Sequence, residues 1–148
     1  MKETIPISIS LVSAVIVQVL CQITKFISYS IRDKRISFKY LYTAGGMPSS
    51  HSAFVTALSL SIGLWNGFNS DLFAVSFVFT AIIIYDAYRL RGTVQTHSKV
   101  LKKLINQLPV DEHEPIEEMV GHSIPEILAG IIAGSLFAGV VYFVFNLF

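Results

Sequence analysis

The sequence predicts an all-α fold: a polytopic membrane bundle of about four transmembrane helices. Of its 148 residues 53% are hydrophobic and only 14% are charged, which is too apolar for an ordinary soluble domain. Runs rich in Ile, Val, Leu, Phe and Ala carry no Asp, Glu, Lys or Arg over residues 4–24, 51–70, 72–85 and 127–148. We therefore predict one bundle and a single domain over residues 1–148.

Each apolar run predicts one helix. A hydrocarbon core of about 30 Å needs roughly 20 apolar residues, and the first, second and fourth runs are long enough. The first is predicted to be a retained helix, because no small-residue cleavage site of a signal peptide follows it. The third is short and is expected to extend into its flanking residues, or to lie tilted or shielded. Residues 90–108, between the third and fourth helices, predict an amphipathic helix along the membrane surface or beneath the bundle.

The distribution of Lys and Arg predicts the orientation. Two loops carry five cations each, whereas the short loop near residue 69 and the C-terminal end carry none; the cations are Lys25, Arg32, Lys34, Arg35, Lys39, Arg89, Arg91, Lys99, Lys102 and Lys103. The positive-inside rule places both long loops on the cytoplasmic face and both termini outside. We predict an integral protein of the plasma (inner) membrane, in which most of these cations orient the chain and touch anionic headgroups.

A glycine-rich turn precedes the second helix and carries candidate phosphate ligands. In the run Gly-Gly-Met-Pro-Ser-Ser-His-Ser at 45–52, Pro48, Ser49 and Ser50 suit the start of a helix, where backbone N–H groups attract an anion. His51 can hydrogen-bond a phosphate oxygen or protonate a leaving group near neutral pH. The alternative is an ordinary Gly/Pro turn with a serine N-cap.

A second histidine stands at the start of the fourth helix, in Gly-His-Ser-Ile-Pro-Glu at 121–126. His122 and Glu126 are four residues apart, so the carboxylate can accept the imidazole N–H and make the other ring nitrogen a better nucleophile. The alternative is a capping box formed by Ser123 and Glu126, which explains the serine and the glutamate without chemistry. The capping box does not explain His122.

Two cations precede these motifs. Lys25 and Arg32 are seven residues apart, which on a continuing helix places both on one face, about two turns apart and able to bracket a single anion.

Together these residues resemble the divergent branch of the type-2 phosphatidic acid phosphatase and vanadium haloperoxidase-like superfamily. The superfamily has three sequence blocks, and Lys25 with Arg32 matches the first, although Asp33 replaces its proline. Pro-Ser-Ser-His at 48–51 matches the second, with a serine in place of glycine. The pair His122 and Glu126 matches the end of the third, with Glu in place of Asp.

The third block departs from the superfamily pattern at its arginine, because that position is Ile116. The stretch Tyr-Asp-Ala-Tyr-Arg-Leu-Arg at 85–91 looks like one that accompanies the glycine-rich turn in the divergent branch, so Arg89 or Arg91 is expected to supply the missing cation. The role of Asp86 stays open between an ion pair with these arginines, a metal ligand and a residue marking the membrane interface.

The resemblance implies a mechanism. His122 would attack phosphorus to give a phosphohistidine that water hydrolyses without a metal, Glu126 would orient it, and His51 would protonate the leaving group. Phosphoryl oxygens would be neutralised by Lys25, Arg32, Arg89 and Arg91, with Ser49 and Ser50 as further phosphate ligands.

We therefore predict a metal-independent integral-membrane phosphatase that needs no cofactor and hydrolyses a lipid phosphate monoester or pyrophosphate. Its expected partners are that substrate and membrane lipids, not nucleic acid, and the oligomeric state is open. The acidic run at 111–114 is predicted to be solvated rather than metal-binding. The alternative is an inactive protein of the same fold that binds anionic lipid or a protein partner. A channel or transporter is less favoured, because no polar path crosses the four helices.

Overall fold

The computed structural model describes residues 8–41, 46–105, 107 and 122–147. Over these residues the chain is helical and has no strands, so the predicted all-α bundle is confirmed. The elements are α1 (Ile9–Arg32), a short 3-10 helix (Phe38–Leu41), α2 (Ser50–Asn66), α3 (Asp71–Ile105) and α4 (Ile124–Leu147). Gly45, Ile116, Gly121 and the acidic run at 111–114, all invoked above, lie outside the described residues.

Helices α1, α3 and α4 are each long and apolar enough to cross a membrane. Helix α2 has 17 residues and is therefore about 25 Å long. It lies at the centre of the bundle, where it packs against the other three helices. Its small residues Ala53 and Ala57 are fully buried and pack against Val17 and Cys21 of α1. The chain is an integral membrane protein in which α2, the shortest of the described α-helices, is enclosed by the other three.

Two glycines bring α4 close to α2. A Cβ atom at Gly130 would collide with the carbonyl oxygen of Ser49, and one at Gly134 would collide with that of Ala53. Side chains at these positions would force the helices apart, so the glycines allow backbone contact, as small residues do between membrane helices. This close approach sets the first turn of α4 beside the first turn of α2.

Helix α3 is longer than the sequence predicts. It runs for 35 residues, about 52 Å, whereas the hydrocarbon core is about 30 Å thick. The segment predicted as a separate amphipathic helix at 90–108 is continuous with α3 as far as Ile105. Gly92 is the single Gly or Pro between residues 86 and 105, and one helical glycine costs only about 1 kcal/mol, so nothing in the sequence breaks the helix there.

Candidate active site

The site lies where α2 and α4 begin and α3 passes beside them. The backbone N–H of Ser49, the N-cap of α2, donates to the carbonyl oxygen of Glu126 over 2.9 Å. The backbone N–H of His122 donates to the carbonyl oxygen of Ala87 on α3 over 3.3 Å. These two bonds fix both helix starts relative to each other and to α3.

This arrangement brings the two histidines together. The ring centroids of His51 and His122 are 5.9 Å apart, with 61° between the ring planes. His122 is buried and His51 is half-buried. The sequence places these residues 71 positions apart, and their expected proximity is observed. Both rings are close enough to reach one small group such as a phosphoryl group.

One carboxylate oxygen of Glu126 contacts both the His122 ring and the backbone at the start of α4. Its Oε2 lies 3.0 Å from Nδ1 of His122 and accepts a hydrogen bond from the backbone N–H of Ser123 over 3.2 Å. The second bond is the side-chain-to-backbone half of a capping box. With the Glu126 carboxylate as acceptor, the first bond places a proton on Nδ1 of His122, which in the neutral imidazole leaves the lone pair on Nε2. The catalytic and capping interpretations of Glu126 are therefore compatible, because its Oε2 makes the contact that each interpretation requires.

Lys25 supplies a buried cation. Its side chain is 1% exposed, and its Nζ donates to Oγ of Ser50 over 3.3 Å. It is also close enough to Glu126 for the two charges to interact. A buried ammonium group in a membrane helix is costly, and such groups mark functional sites by default. Lys25 thus connects α1 to the starts of α2 and α4.

The two serines predicted as phosphate ligands have different surroundings. Ser49 is fully buried, and its Oγ accepts from the backbone N–H of Ser52 over 3.3 Å, as an N-cap does. The hydroxyl of Ser52 lies 3.1 Å from the same oxygen. Ser50 is buried against Lys25. Ser49 is therefore the N-cap of α2 and Ser50 is the serine that contacts Lys25, while phosphate binding by either serine stays a prediction.

Arg32 does not join Lys25. Its Nε donates to Oδ1 of Asp33 over 2.8 Å, its side chain is 64% exposed, and its guanidinium lies 4.7 Å from the ring centre of Tyr29. In this structure the neighbouring Asp33 engages the guanidinium of Arg32, so the bracketing of one anion by Lys25 and Arg32 stays a prediction. Hydrogen bonds from Arg32 and then Tyr40 lower the pKa of Asp33, which keeps this carboxylate charged.

The other two predicted cations are on α3. Arg89 is exposed, and the side chain of Arg91 lies outside the described part of the chain. Of the four cations predicted to bind phosphate, Lys25 is therefore the one that described contacts connect to the histidine pair.

Sequence reasoning missed Tyr29, which supports the glycine-rich turn. Gly46 has φ +80°, and a Cβ atom there would collide with the Tyr29 hydroxyl. This position thus needs glycine for its backbone conformation. The available signal is its spacing of four residues from Lys25, which places both on one face of α1.

The fold is that of an integral membrane protein with two histidines, a glutamate and a lysine gathered at its helix starts. The chain belongs to the Divergent PAP2 family, whose profile matches residues 8–137. It is similar to the "Uncharacterized membrane protein YuiD" of Bacillus subtilis (strain 168). The two are 30% identical over an alignment of 149 positions, which covers 91% of this chain and 94% of that protein. No solved structure matches the chain.

Proposed function

We propose that the protein is a metal-independent phosphatase that hydrolyses a lipid phosphate monoester or pyrophosphate at the cytoplasmic face of the plasma membrane. One observation supports the proposal. Nδ1 of His122 lies 3.0 Å from Oε2 of Glu126, and the ring centroid of His51 lies 5.9 Å from that of His122. A nucleophile with an orienting carboxylate and a second proton-carrying group beside it is the arrangement that acid–base assisted group transfer requires.

The chemistry runs in two steps. Nε2 of His122 attacks phosphorus, the phosphorus–oxygen bond to the lipid breaks, and protonated His51 gives its proton to the departing oxygen. Water then attacks the phosphohistidine, His51 takes a proton from that water, and the phosphorus–nitrogen bond breaks to release phosphate. Glu126 stabilises the positive charge that His122 carries during both steps.

The positive charge that neutralises the phosphoryl oxygens comes from the protein. The buried ammonium of Lys25 is positioned to neutralise a phosphoryl oxygen, and backbone N–H groups in the first turn of α2 favour an anion at the same place. A site at helix starts suits a phosphate in the headgroup layer whose hydrocarbon part remains in the bilayer. The ten cations at residues 25–39 and 89–103 support the cytoplasmic orientation.

A binding protein without catalysis is the second candidate. It is favoured by the engagement of Arg32 with Asp33 and by Ile116 at the position of the third-block arginine, which both reduce the charge available for a transition state. Such a protein would keep Lys25 and the helix starts as a receptor for an anionic headgroup.

Phosphate release from purified protein in detergent micelles tests the proposal. Phosphatidic acid, phosphatidylglycerophosphate and a polyprenyl pyrophosphate are compared as substrates, with His122→Ala as the inactive control. We expect release from at least one lipid, no release by the variant, and an acid-labile phosphoryl group trapped on the wild-type protein. Binding of these lipids without release, unchanged in His122→Ala, would establish the binding protein instead.

A further inference from the structure

An apolar groove lies between α3 and α4, with a volume of about 560 Å³. Its α3 side includes Phe77, Ala81 and Tyr88, and its α4 side includes Ile124 and Ile127. The volume is within the about 300–1,000 Å³ of sites that hold small molecules. Helices α3 and α4 contact each other over a small area, because α3 packs mainly on α2. The groove lies between them.

The lining offers almost no polar group. Thr80 contributes a hydroxyl, but its Oγ1 donates to the carbonyl oxygen of Val55 on α2 over 3.0 Å and is thereby satisfied within the bundle. Tyr85 and Tyr88 present aromatic rings. A ligand in this groove needs no hydrogen bonds, which fits a hydrocarbon chain and excludes a polar headgroup.

One end of the groove adjoins the histidine site. Ile124 and Ile127 line it, and they flank Glu126 in the first turn of α4. Tyr88 lies next to Ala87, whose carbonyl oxygen accepts from the backbone N–H of His122 over 3.3 Å. The groove therefore begins where the site ends, so a molecule whose phosphate occupies the site has its next atoms at the mouth of the groove.

The length of the groove matches one leaflet. Its lining on α3 runs from Phe77 to Tyr88, which is about 16 Å of helix at 1.5 Å per residue. The hydrocarbon core is about 30 Å thick, so this is about half of it. The occupant is thus a chain of the leaflet that borders the site.

We propose that the groove holds one hydrocarbon chain of the substrate, so that a phosphate carried on a single chain is sufficient for recognition. This inference rests on the proposed function, because it takes the phosphate to sit between His51 and His122. The second chain of a two-chain lipid would stay in the surrounding lipid. The groove acts by shape and position, since lipid tails outside it are as apolar as its walls.

Photolabelling tests the occupant. The probe is hexadecyl phosphate with a diazirine in the middle of its chain, and its control is the same molecule with a hydroxyl group in place of phosphate. We expect the phosphate probe to label groove residues of α3 and α4 at least about fivefold more than the alcohol, a difference of about 1 kcal/mol. Equal labelling by both probes would show that bulk lipid fills the groove and would overturn the proposal. Absence of groove labelling, including cover by a second copy of the chain, would overturn it equally.

A matched pair of variants locates the effect. Ala81→Trp fills the groove and should reduce labelling of α4 at least about fivefold. Ile82→Trp, at the same depth on a lipid-facing side of α3 outside the lining, should leave it unchanged. If Ala81→Trp does not fold, the comparison of the two probes on the wild-type protein still decides.

Phosphate release from the same probe separates the two proposals. Groove labelling without release would support the groove and overturn the phosphatase. Release without groove labelling would support the phosphatase and overturn the groove.

Discussion

Glu126→Gln separates the catalytic role of Glu126 from its capping role. Oε2 of Glu126 contacts Nδ1 of His122 at 3.0 Å and the backbone N–H of Ser123 at 3.2 Å. Glutamine also completes a capping box, and its amide oxygen can accept both of these hydrogen bonds. The substitution therefore removes the negative charge, while the helix cap and an oxygen that accepts both hydrogen bonds are retained.

The expected magnitudes follow from these two contacts. A hydrogen bond to a charged group contributes about 1.5–3 kcal/mol against about 1 kcal/mol for a neutral one, and the imidazolium formed on His122 loses its counter-charge. The difference of about 0.5–2 kcal/mol corresponds to about 2- to 30-fold at 1.4 kcal/mol for each factor of ten, and because the counter-charge is lost as well we expect the turnover number of Glu126→Gln to fall at least about 10-fold. The free energy of unfolding should change by less than about 0.5 kcal/mol, because the cap is retained.

Glu126→Ala is the companion variant, because it removes both the charge and the cap. It should lose turnover at least as strongly and also about 1 kcal/mol of stability. Phosphate release in micelles measures the first quantity and thermal unfolding in the same detergent measures the second. Full turnover in Glu126→Gln would refute the reasoning, and Glu126 would then be a helix cap alone.

Three further predictions test the charges, the metal requirement and the orientation. Lys25→Met should reduce phosphate release about 100-fold, as removal of one transition-state donor does elsewhere, whereas Arg32→Ala should reduce it less than about threefold; equal losses would place both cations in the site. Hydrolysis should survive EDTA and be inhibited by vanadate, which by the family resemblance mimics the five-coordinate phosphorus; loss on chelation with rescue by Mg²⁺ would point to a metal mechanism. In a variant without the native cysteine, single cysteines at Ser37 and Lys99 should be labelled from the cytoplasm and one at Asn69 from the opposite side; labelling of Ser37 and Lys99 from different sides would contradict the orientation.

The helices and the histidine pair could be predicted because each depends on local pattern. Charge-free runs mark the spans, and a helix start preceded by serine places its first-turn side chains at a membrane face. Two histidines at two such starts on one face meet once α2 and α4 pack closely, and Gly130 and Gly134 make that packing possible. The juxtaposition of His51 and His122 follows from these features together.

The position of Arg32 could not be predicted from spacing, because spacing fixes the helix face and not the partner. A seven-residue interval puts Lys25 and Arg32 on one face, but Arg32 stands in the last turn of α1 and reaches the adjacent Asp33. Lys25 lies about two turns before the end of α1, where it is buried and donates a hydrogen bond to Ser50 of α2. The length of α3 was missed for a related reason, since polarity after residue 86 signals the end of a membrane span and does not signal the end of a helix.

The charges near the histidine pair bear on what His51 must do. Among the contacts described above, Lys25 brings a positive charge and Glu126 a negative charge to the pair. A phosphate group adds at least one negative charge to a partly buried site, where an unbalanced charge is costly. A proton on His51 restores the balance, and it is the same proton that the departing oxygen needs. In the proposed mechanism, substrate binding would therefore favour the protonated state of His51 that the first chemical step consumes, which couples binding to catalysis.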